Sequence, residues 1–273
     1  MKLVVCEYPV SLLEKVSVII PLGPGEELWR DLVMDLQLLP EKAEIVFVFS
    51  DENCLPNHSR IKYSGRACDV PEGALPVLFR SKEDPALIRQ LGGHYLVLVQ
   101  SCSGRAIEMN AGSKFASKQF FWFLHADSHF TKQALSALDL SLMKDPQALH
   151  FFRLTFMKDD EGSALTGINQ WGARIRSEFF SVPFGDQGFC ISKDNFHCIG
   201  GYPEDVRVGE DHVFLWHARQ QGIKPICTKA ELFTSARKYD SIGWGRLTLK
   251  YQYLWIKQAI PELFKLYLSG ERQ

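Results

Sequence analysis

Apolar runs alternate with amphipathic stretches along the first half of this chain. β-Branched and aromatic residues fill 15–22, "KVSVIIPL", and 43–53, "AEIVFVFSDEN", while 26–39 repeats leucines among charges. The leucine spacing predicts an amphipathic helix. Two more apolar runs, "YLVLVQSCS" and "QFFWFLHADS", flank the helical pattern "GRAIEMNAGSKFASK". Strands that are apolar on both faces and alternate with helices predict an α/β fold with a mostly parallel central sheet.

The second half of the chain has a less regular pattern. We predict strands in "ALHFFRLTF" and "QGFCIS", helices in "NQWGARIRSEFF" and "DHVFLWHARQQG", and a turn-rich connection in "KDNFHCIGGYPEDVRVGED". A further strand is predicted in "ALPVLFRS" of the first half. Because no long Pro/Gly/Ser linker interrupts the chain, we predict one domain over 1–243, with halves at about 14–130 and 131–243. The remaining residues, 244–273, form a C-terminal segment.

Composition narrows the function classes. The 273 residues include 31 basic and 32 acidic side chains, so no global basic field attracts nucleic acid. The seven cysteines are scattered and form no C-x-x-C pair, which indicates neither a structural zinc site nor a disulfide framework. No run reaches ~18 apolar residues. These features predict a reduced, cytoplasmic protein.

A polar cluster follows the apolar run 120–124. Here His125, Asp127 and His129 stand at a spacing of two, which at a strand end directs side chains the same way. A hard cation such as Mg²⁺ or Mn²⁺ binds one or two carboxylates plus substrate phosphate oxygens. The alternative is that Asp127 caps the next helix and the histidines are exposed.

Four other short motifs carry candidate chemistry. Glu210 and Asp211 begin a predicted helix, where acids either complement the helix dipole or act as a base at a cleft. "GRAIEMNAG" offers an anion site at Gly104 and Arg105, with Asn110 further along.

The remaining two motifs have equally open interpretations. Asp186 and Gln187 lie between two glycines in "PFGDQGF", which is typical either of a site loop or of a tight turn. Arg237 and Lys238 in "SARKYD" either reach a phosphate or are solvated.

Taken in order, the motifs resemble one family. "VSVIIPL", "AEIVFVFSD", "GRAIEMNAG", "FWFLHADS", "FGDQGFCI" and "IGGYPEDVRVGEDHVF" are similar to the GT-A-fold glycosyltransferases of family 2. The resemblance is strongest to a small bacterial branch with a His-Ala-Asp metal motif, and it covers about residues 16–240. It implies a GT-A (Rossmann-like) three-layer sandwich whose first half binds the nucleotide and whose second half binds the acceptor.

The resemblance also implies residue roles. Asp211 matches the catalytic base of inverting members, with Glu210 beside it. The implied nucleotide-sugar residues are Pro21, Asp51, Gly104, Arg105, Asn110, Asp127 and Arg237. Asp127 matches the metal-binding acid, and His125 stands where the first acid of that motif usually is, while His129 is a candidate metal ligand from its spacing alone. Asp186 and Gln187 are placed on the acceptor side. The first loop, "PLGPGEE", departs from the family's Asn-Glu pair, leaving Glu26 or Glu27 as substitutes, and "FSDEN" stands where Asp-Gly-Ser is usual.

The predicted function is therefore metal-dependent, inverting transfer of a sugar from a nucleoside-diphosphate sugar to a hydroxyl acceptor. One alternative is a sugar-phosphate nucleotidyltransferase, although that class requires a lysine in the first glycine loop, which this chain lacks. A second alternative is a non-catalytic nucleotide-binding or membrane-surface protein of the same fold. No nucleic-acid partner is expected.

The C-terminal segment has two interpretations. In "WGRLTLKYQYLWIKQAIPELFKL", residues Leu247, Tyr251, Leu254 and Trp255 share one helical face, and Arg246, Lys250 and Lys257 share another. This amphipathic pattern either packs on the domain or touches the inner membrane surface peripherally.

Overall fold

A computed structural model of the chain describes residues 11–51, 59–71, 84–157, 183, 185–206, 208–235 and 244–270. Its strands are β1 Val16–Leu22, β2 Glu44–Asp51, β3 Arg60–Arg66, β4 Tyr95–Cys102, β5 Phe120–Phe123, β6 Ser128–His129, β7 Leu149–Phe156, β8 Cys190–Ser192 and β9 Pro225–Thr234. Its α-helices are α1 Trp29–Leu36, α2 Asp84–Arg89, α3 Arg105–Phe115, α4 Lys132–Lys144, α5 Lys193–Ile199, α6 Glu210–Gln220 and α7 Trp244–Gly270.

The described strands form one nine-stranded sheet in the order β3-β4-β2-β1-β5-β8-β7-β9-β6. Strands β4, β2, β1 and β5 are parallel neighbours, and β7 runs parallel to β9. Strands β3, β8 and β6 pair antiparallel with their neighbours. The α/β fold class with a large, mostly parallel central sheet is confirmed. Both predicted halves contribute strands to this sheet.

The two central strands show why apolar runs form this sheet. Every residue of β1 is buried, and so are the first seven of β2, because helices cover both faces. Pro21 fits in β1 because β5 pairs with β1 only as far as Ile19, beyond which a missing backbone N–H breaks no bond to β5. Two hydrophobic cores pack on the sheet. They fix the positions of the strand ends, where the polar candidate residues follow.

Several elements differ from the sequence-based prediction, among them α2, which the apolar pattern did not predict. Helix α5 lies inside the predicted turn-rich connection; Ser192 caps it by accepting from Asn195 N, and Gly200 ends it in the left-handed region. The structure also contains β3, most of whose residues are exposed, and β9, neither of which the apolar pattern predicted. The predicted strand at 74–81 and helix at 169–180 lie outside the described residues. Within the described chain, no helix is both long and apolar enough to cross a membrane.

Candidate active site

The candidate site lies at the carboxyl edge of the parallel strands. Strands β1, β2, β4 and β5 all end at this edge, where an α/β sheet forms its ligand crevice. Helix α3 begins here at Arg105. Gly104 precedes it with a φ of 137°, and its backbone N–H donates to Glu108 Oε1 at 3.2 Å. Only glycine adopts this φ readily, which explains the glycine before Arg105.

Two buried acids open helix α6. Gly209, at φ 85°, turns the chain into the helix, so that Glu210 and Asp211 lie in its first turn at only 5% and 7% exposure. Arg105 Nη1 lies 3.4 Å from Glu210 Oε1 and 3.5 Å from Asp211 Oδ2. Burial and the neighbouring charge of Glu210 raise the pKa of Asp211 to about 6, although Arg105 opposes the shift. The result is a carboxylate whose pKa suits a general base near neutral pH.

A short 3-10 turn, Gly185–Gln187, packs on the Asp211 carboxylate. A Cβ at Gly185 would lie 1.8 Å from Asp211 Oδ2, so only glycine allows the turn to contact the carboxylate. The next residue, Asp186, pairs through Oδ1 with His125 Nδ1 at 2.8 Å. Gln187 is buried and donates from Nε2 to the backbone oxygen of Phe152 at 2.6 Å, which fastens the turn to β7.

These residues form one electrostatic unit, which we call the acidic cluster. Burial lowers the pKa of Arg105, yet the surrounding carboxylates outweigh burial and raise it above its ordinary value; these carboxylates are Asp211, Asp186, Glu210 and Asp127. The acidic cluster is therefore defined as Arg105, His125, Asp127, Asp186, Glu210 and Asp211. Among the described residues it contains four carboxylates and a single guanidinium, an excess of negative charge when His125 is neutral.

Asp127 is the member of the cluster with the freest carboxylate. It is partly exposed, and among the described residues no group donates a hydrogen bond to it. It does not cap the following helix, because Thr131 does so by accepting from Ala134 N at 3.3 Å. The capping alternative for Asp127 is therefore wrong.

Several predicted site residues make contacts elsewhere. His129 Nδ1 pairs with Asp35 Oδ2 of α1 at 2.9 Å, and this hydrogen bond raises the pKa of His129. Asn110 exchanges hydrogen bonds with the backbone of Tyr202, donating at 2.9 Å and accepting at 2.8 Å.

The residues predicted to bind the nucleotide from β1, β2 and the "SARKYD" motif differ in what the structure describes of them. Asp51 ends β2 and accepts a hydrogen bond from Gln100 Nε2, while Pro21 is buried near the end of β1. Arg237 and Lys238 lie outside the described residues. The roles of all these residues toward a ligand stay predictions.

Two residues at the site had no role in the sequence-based prediction. One is Gly185, whose signal was its place in the glycine-flanked motif "PFGDQGF". The other is Tyr202, which is 2% exposed and stacks on Phe214 at 4.3 Å. Burial, then Asp211 and Glu210, raise its pKa, and its hydroxyl has no hydrogen-bond partner among the described residues. No sequence spacing distinguishes such a tyrosine from an ordinary core residue.

The donor set gives a test of whether a divalent cation fits. Within the part of the chain that the structure describes, no three His, Cys, Asp or Glu side chains converge as a complete metal cage. The ring nitrogens His125 Nδ1 and His129 Nδ1 already pair with aspartates. A single carboxylate is nevertheless enough for Mg²⁺ or Mn²⁺ when a substrate diphosphate supplies the other oxygens. Asp127 fits that requirement.

Comparison with known proteins shows which solved structures have a similar fold. No protein-family model matches the sequence, and no curated protein matches it either. Among solved structures, the chain is similar to TarS 1–349 of S. aureus in complex with UDP-GlcNAc, with a TM-score of 0.53, 16% identity, and coverage of 81% of this chain and 58% of that one. It is also similar to the mannosyltransferase PcManGT from Pyrobaculum calidifontis in complex with GDP-Man and Mn²⁺, with a TM-score of 0.56, 14% identity, and coverage of 95% and 64%.

The chain thus shares its fold with proteins solved in complex with nucleotide sugars. It spans less than two thirds of the length of either one.

Proposed function

We propose that this protein transfers a sugar from a nucleoside-diphosphate sugar to a hydroxyl of an acceptor, with inversion at the anomeric carbon. The observation that carries the proposal is Asp211, a buried carboxylate with a pKa of about 6 at the ligand edge of the sheet. The shared fold with a mannosyltransferase and the order of the motifs support the assignment to the glycosyltransferases of family 2. A cytoplasmic location stays a prediction, testable by cell fractionation.

The proposed reaction is a single displacement. The acceptor oxygen attacks the anomeric carbon from the face opposite the diphosphate and forms the new C–O bond. The bond from that carbon to the diphosphate oxygen breaks, and its electron pair leaves with the nucleoside diphosphate. The Asp211 carboxylate takes the proton of the acceptor hydroxyl. The products are the glycosylated acceptor and a nucleoside diphosphate.

The neighbours of Asp211 hold it in the state that a base requires. Glu210 is a second buried acid that helps raise the pKa of Asp211, and Arg105 contacts both carboxylates and limits the rise. Gly185 packs on the carboxylate and restricts its position. Arg105 is 36% exposed, so one part of its side chain also faces solvent, where a donor phosphate can approach. In this proposal Glu210, Arg105 and Gly185 position the base.

The charge of the acidic cluster favours a divalent cation with the donor. Four carboxylates face one guanidinium, so a diphosphate would enter a site that already has excess negative charge. We assign Asp127 as the ligand that would hold Mg²⁺ or Mn²⁺, together with diphosphate oxygens. When bound, the cation would stabilise negative charge on the leaving diphosphate.

The function is tested by product analysis. The chain is incubated with a panel of uridine and guanosine diphosphate sugars, with Mn²⁺ or with a chelator, and the released nucleotide is identified. The proposal expects release of nucleoside diphosphate that depends on Mn²⁺. Pyrophosphate formed from a nucleoside triphosphate and a sugar phosphate would instead assign a nucleotidyltransferase, and binding without any product would assign a non-catalytic protein.

The cation assignment is tested by calorimetry with UDP or GDP and Mn²⁺. We expect Asp127→Ala to lower nucleotide affinity at least tenfold in the presence of Mn²⁺ and to have little effect in chelator. His129→Ala is the comparison, because its ring contacts Asp35. If wild type and Asp127→Ala bind the nucleotide with Mn²⁺ with the same affinity and heat, the cation assignment is overturned. The proposed role of Asp211 would not be affected by that result.

A further inference from the structure

Helix α7 turns a polar stripe toward the rest of the protein. Gln258 Nε2 donates to the backbone oxygen of Val208 at 2.7 Å, and Glu262 Oε2 accepts from Gln220 Nε2 at 2.9 Å. One turn further on, Leu266 packs against the apolar core. Residues at this spacing of four share one face of a helix. Among the described side chains, this face of α7 contacts α6 through amides and a carboxylate, and it packs on the apolar core through Ala259 and Leu266.

The opposite face of α7 is apolar and exposed. We call it the apolar stripe; its members and exposures are Ile256 48%, Ile260 52%, Leu263 54%, Phe264 67%, Tyr267 69% and Leu268 57%. At 100° per residue these positions fall within an arc of about 140°. A helix on a soluble domain ordinarily turns its larger apolar side to the core, whereas residues 256–268 leave these six apolar side chains exposed. Six neighbouring exposed apolar side chains indicate an interaction surface.

The charge on α7 identifies the kind of surface that fits. Residues 244–270 include four basic side chains, Arg246, Lys250, Lys257 and Lys265, and the single acid Glu262. That acid is 7% exposed and pairs through Oε1 with Lys265 Nζ at 2.6 Å, while Lys257 is exposed. The outward side of the helix therefore combines apolar groups with the positive charge of Lys257, which matches a bilayer with anionic headgroups. A second copy would bring the same positive charges together.

We propose that α7 lies in the plane of an anionic lipid surface, with the apolar stripe inserted between headgroups and Lys257 in contact with lipid phosphate. The polar stripe of α7 contacts α6 and keeps α7 alongside the domain, so α7 lies flat on the lipid surface. The same α6 carries Asp211 at its start, and Gln258 contacts Val208 just before it, so the lipid surface adjoins the acidic cluster. The proposal stands independently of glycosyl transfer, because it rests on exposure and charge alone.

Vesicle co-sedimentation of the full chain tests this surface. Vesicles of phosphatidylcholine with about one third phosphatidylglycerol are compared with pure phosphatidylcholine at low and high salt. We expect binding to the anionic vesicles only, weakened by salt. Leu263→Glu with Phe264→Glu should lower the bound fraction at least tenfold, and Lys257→Glu should lower it several-fold.

Leu140→Glu on α4 is the matched control, because Leu140 is 68% exposed, as Phe264 is 67% exposed, and lies outside the apolar stripe. It should bind vesicles as wild type does. Circular dichroism of each variant confirms that the fold is retained. The proposal is overturned if wild type stays in the supernatant with anionic vesicles, or if the double variant binds as wild type does. A dimer in solution that the double variant dissociates would assign the stripe to a second copy and would equally overturn it.

Discussion

At the residue scale, Asp211 is buried and still able to ionise near neutral pH, two properties that usually exclude each other. A carboxylate at 7% exposure is costly to ionise, yet Arg105 Nη1 lies 3.5 Å from its Oδ2 and keeps ionisation within reach of neutral pH. The balance gives a pKa of about 6, high enough for proton transfer and low enough for the group to be charged near pH 7. Such a compromise is a property of a functional site more often than of a structural one.

Stability at different pH values should report the cost of burying this charge. The pKa of Asp211 is about 6 in the folded chain against an ordinary 3.8, so the folded state holds the proton over that window. Stability is therefore lost as pH rises from the lower to the higher value. We expect Asp211→Asn to be more stable than wild type by about 1–3 kcal/mol near pH 8, with the gain shrinking below about pH 4.

Urea unfolding at both pH values measures this difference. Asp194→Asn, which removes an exposed carboxylate, is the control for losing one negative charge. A variant less stable than wild type at the higher pH would contradict the assigned burial cost.

The acid side of the pH–rate profile should depend on Arg105. In the proposed mechanism Asp211 must be deprotonated, so kcat/KM should fall as pH drops below about 6. Because the guanidinium lowers the pKa of Asp211, Arg105→Gln should move this midpoint to higher pH. Arg66→Gln, which removes an exposed charge from β3, should leave the midpoint in place. If the midpoint is the same in both variants and in wild type, Arg105 does not control the pKa of the group that limits activity at low pH.

At the element scale, the sequence predicts where strands end but not which loop covers which helix. The apolar runs of β1, β2, β4 and β5 and the polar residues after them could be predicted from patterning alone, because both follow from burial in a parallel sheet. The contact of Gly185 with Asp211 joins positions 26 residues apart in the chain, and no periodicity encodes it. The pairing of His129 with Asp35 is hidden for the same reason, since strand spacing gives a direction and not a partner.

Helix α5 shows a different limit of sequence patterning. Only seven residues long, it carries too few apolar positions for a helical period to stand out from turn residues. Its signals were local ones, Ser192 as the N-cap and Gly200 at the end. Short helices fixed by caps and by packing are therefore missed where long amphipathic ones are found.

The 185–187 turn provides an element-scale prediction. Gly185→Ala places a methyl group against Asp211 Oδ2, so the turn or the carboxylate must move. We expect kcat to fall at least tenfold and stability to fall by about 1–3 kcal/mol. Gly93→Ala is the matched control, because its Cβ would meet only the flexible, exposed side chain of Glu41 at 3.1 Å. Kinetics and thermal unfolding of the two variants give the comparison, and full activity of Gly185→Ala would show that the close contact is dispensable.

At the scale of the whole molecule, one sheet unites the two halves of the chain. β5, the last long strand of the first half, leads into Asp127, while α6 from the second half brings Asp211 to the same edge. The fold therefore brings residues from both halves of the chain to one edge of the sheet, where we propose that the donor and the acceptor bind. This arrangement explains why the motif order along the sequence was informative for the first half: the polar residues after β1, β2, β4 and β5 each follow a strand that ends at the shared edge.

The most direct test of the account is the turnover of Asp211→Asn at saturating sugar nucleotide, acceptor and Mn²⁺, measured as nucleoside diphosphate released. The substitution keeps the size of the side chain and removes its capacity to accept a proton. We expect a kcat lower by about 10²–10⁴-fold with nucleotide affinity within about threefold of wild type. Turnover of the variant within about threefold of wild type would contradict the assignment of Asp211 as the base.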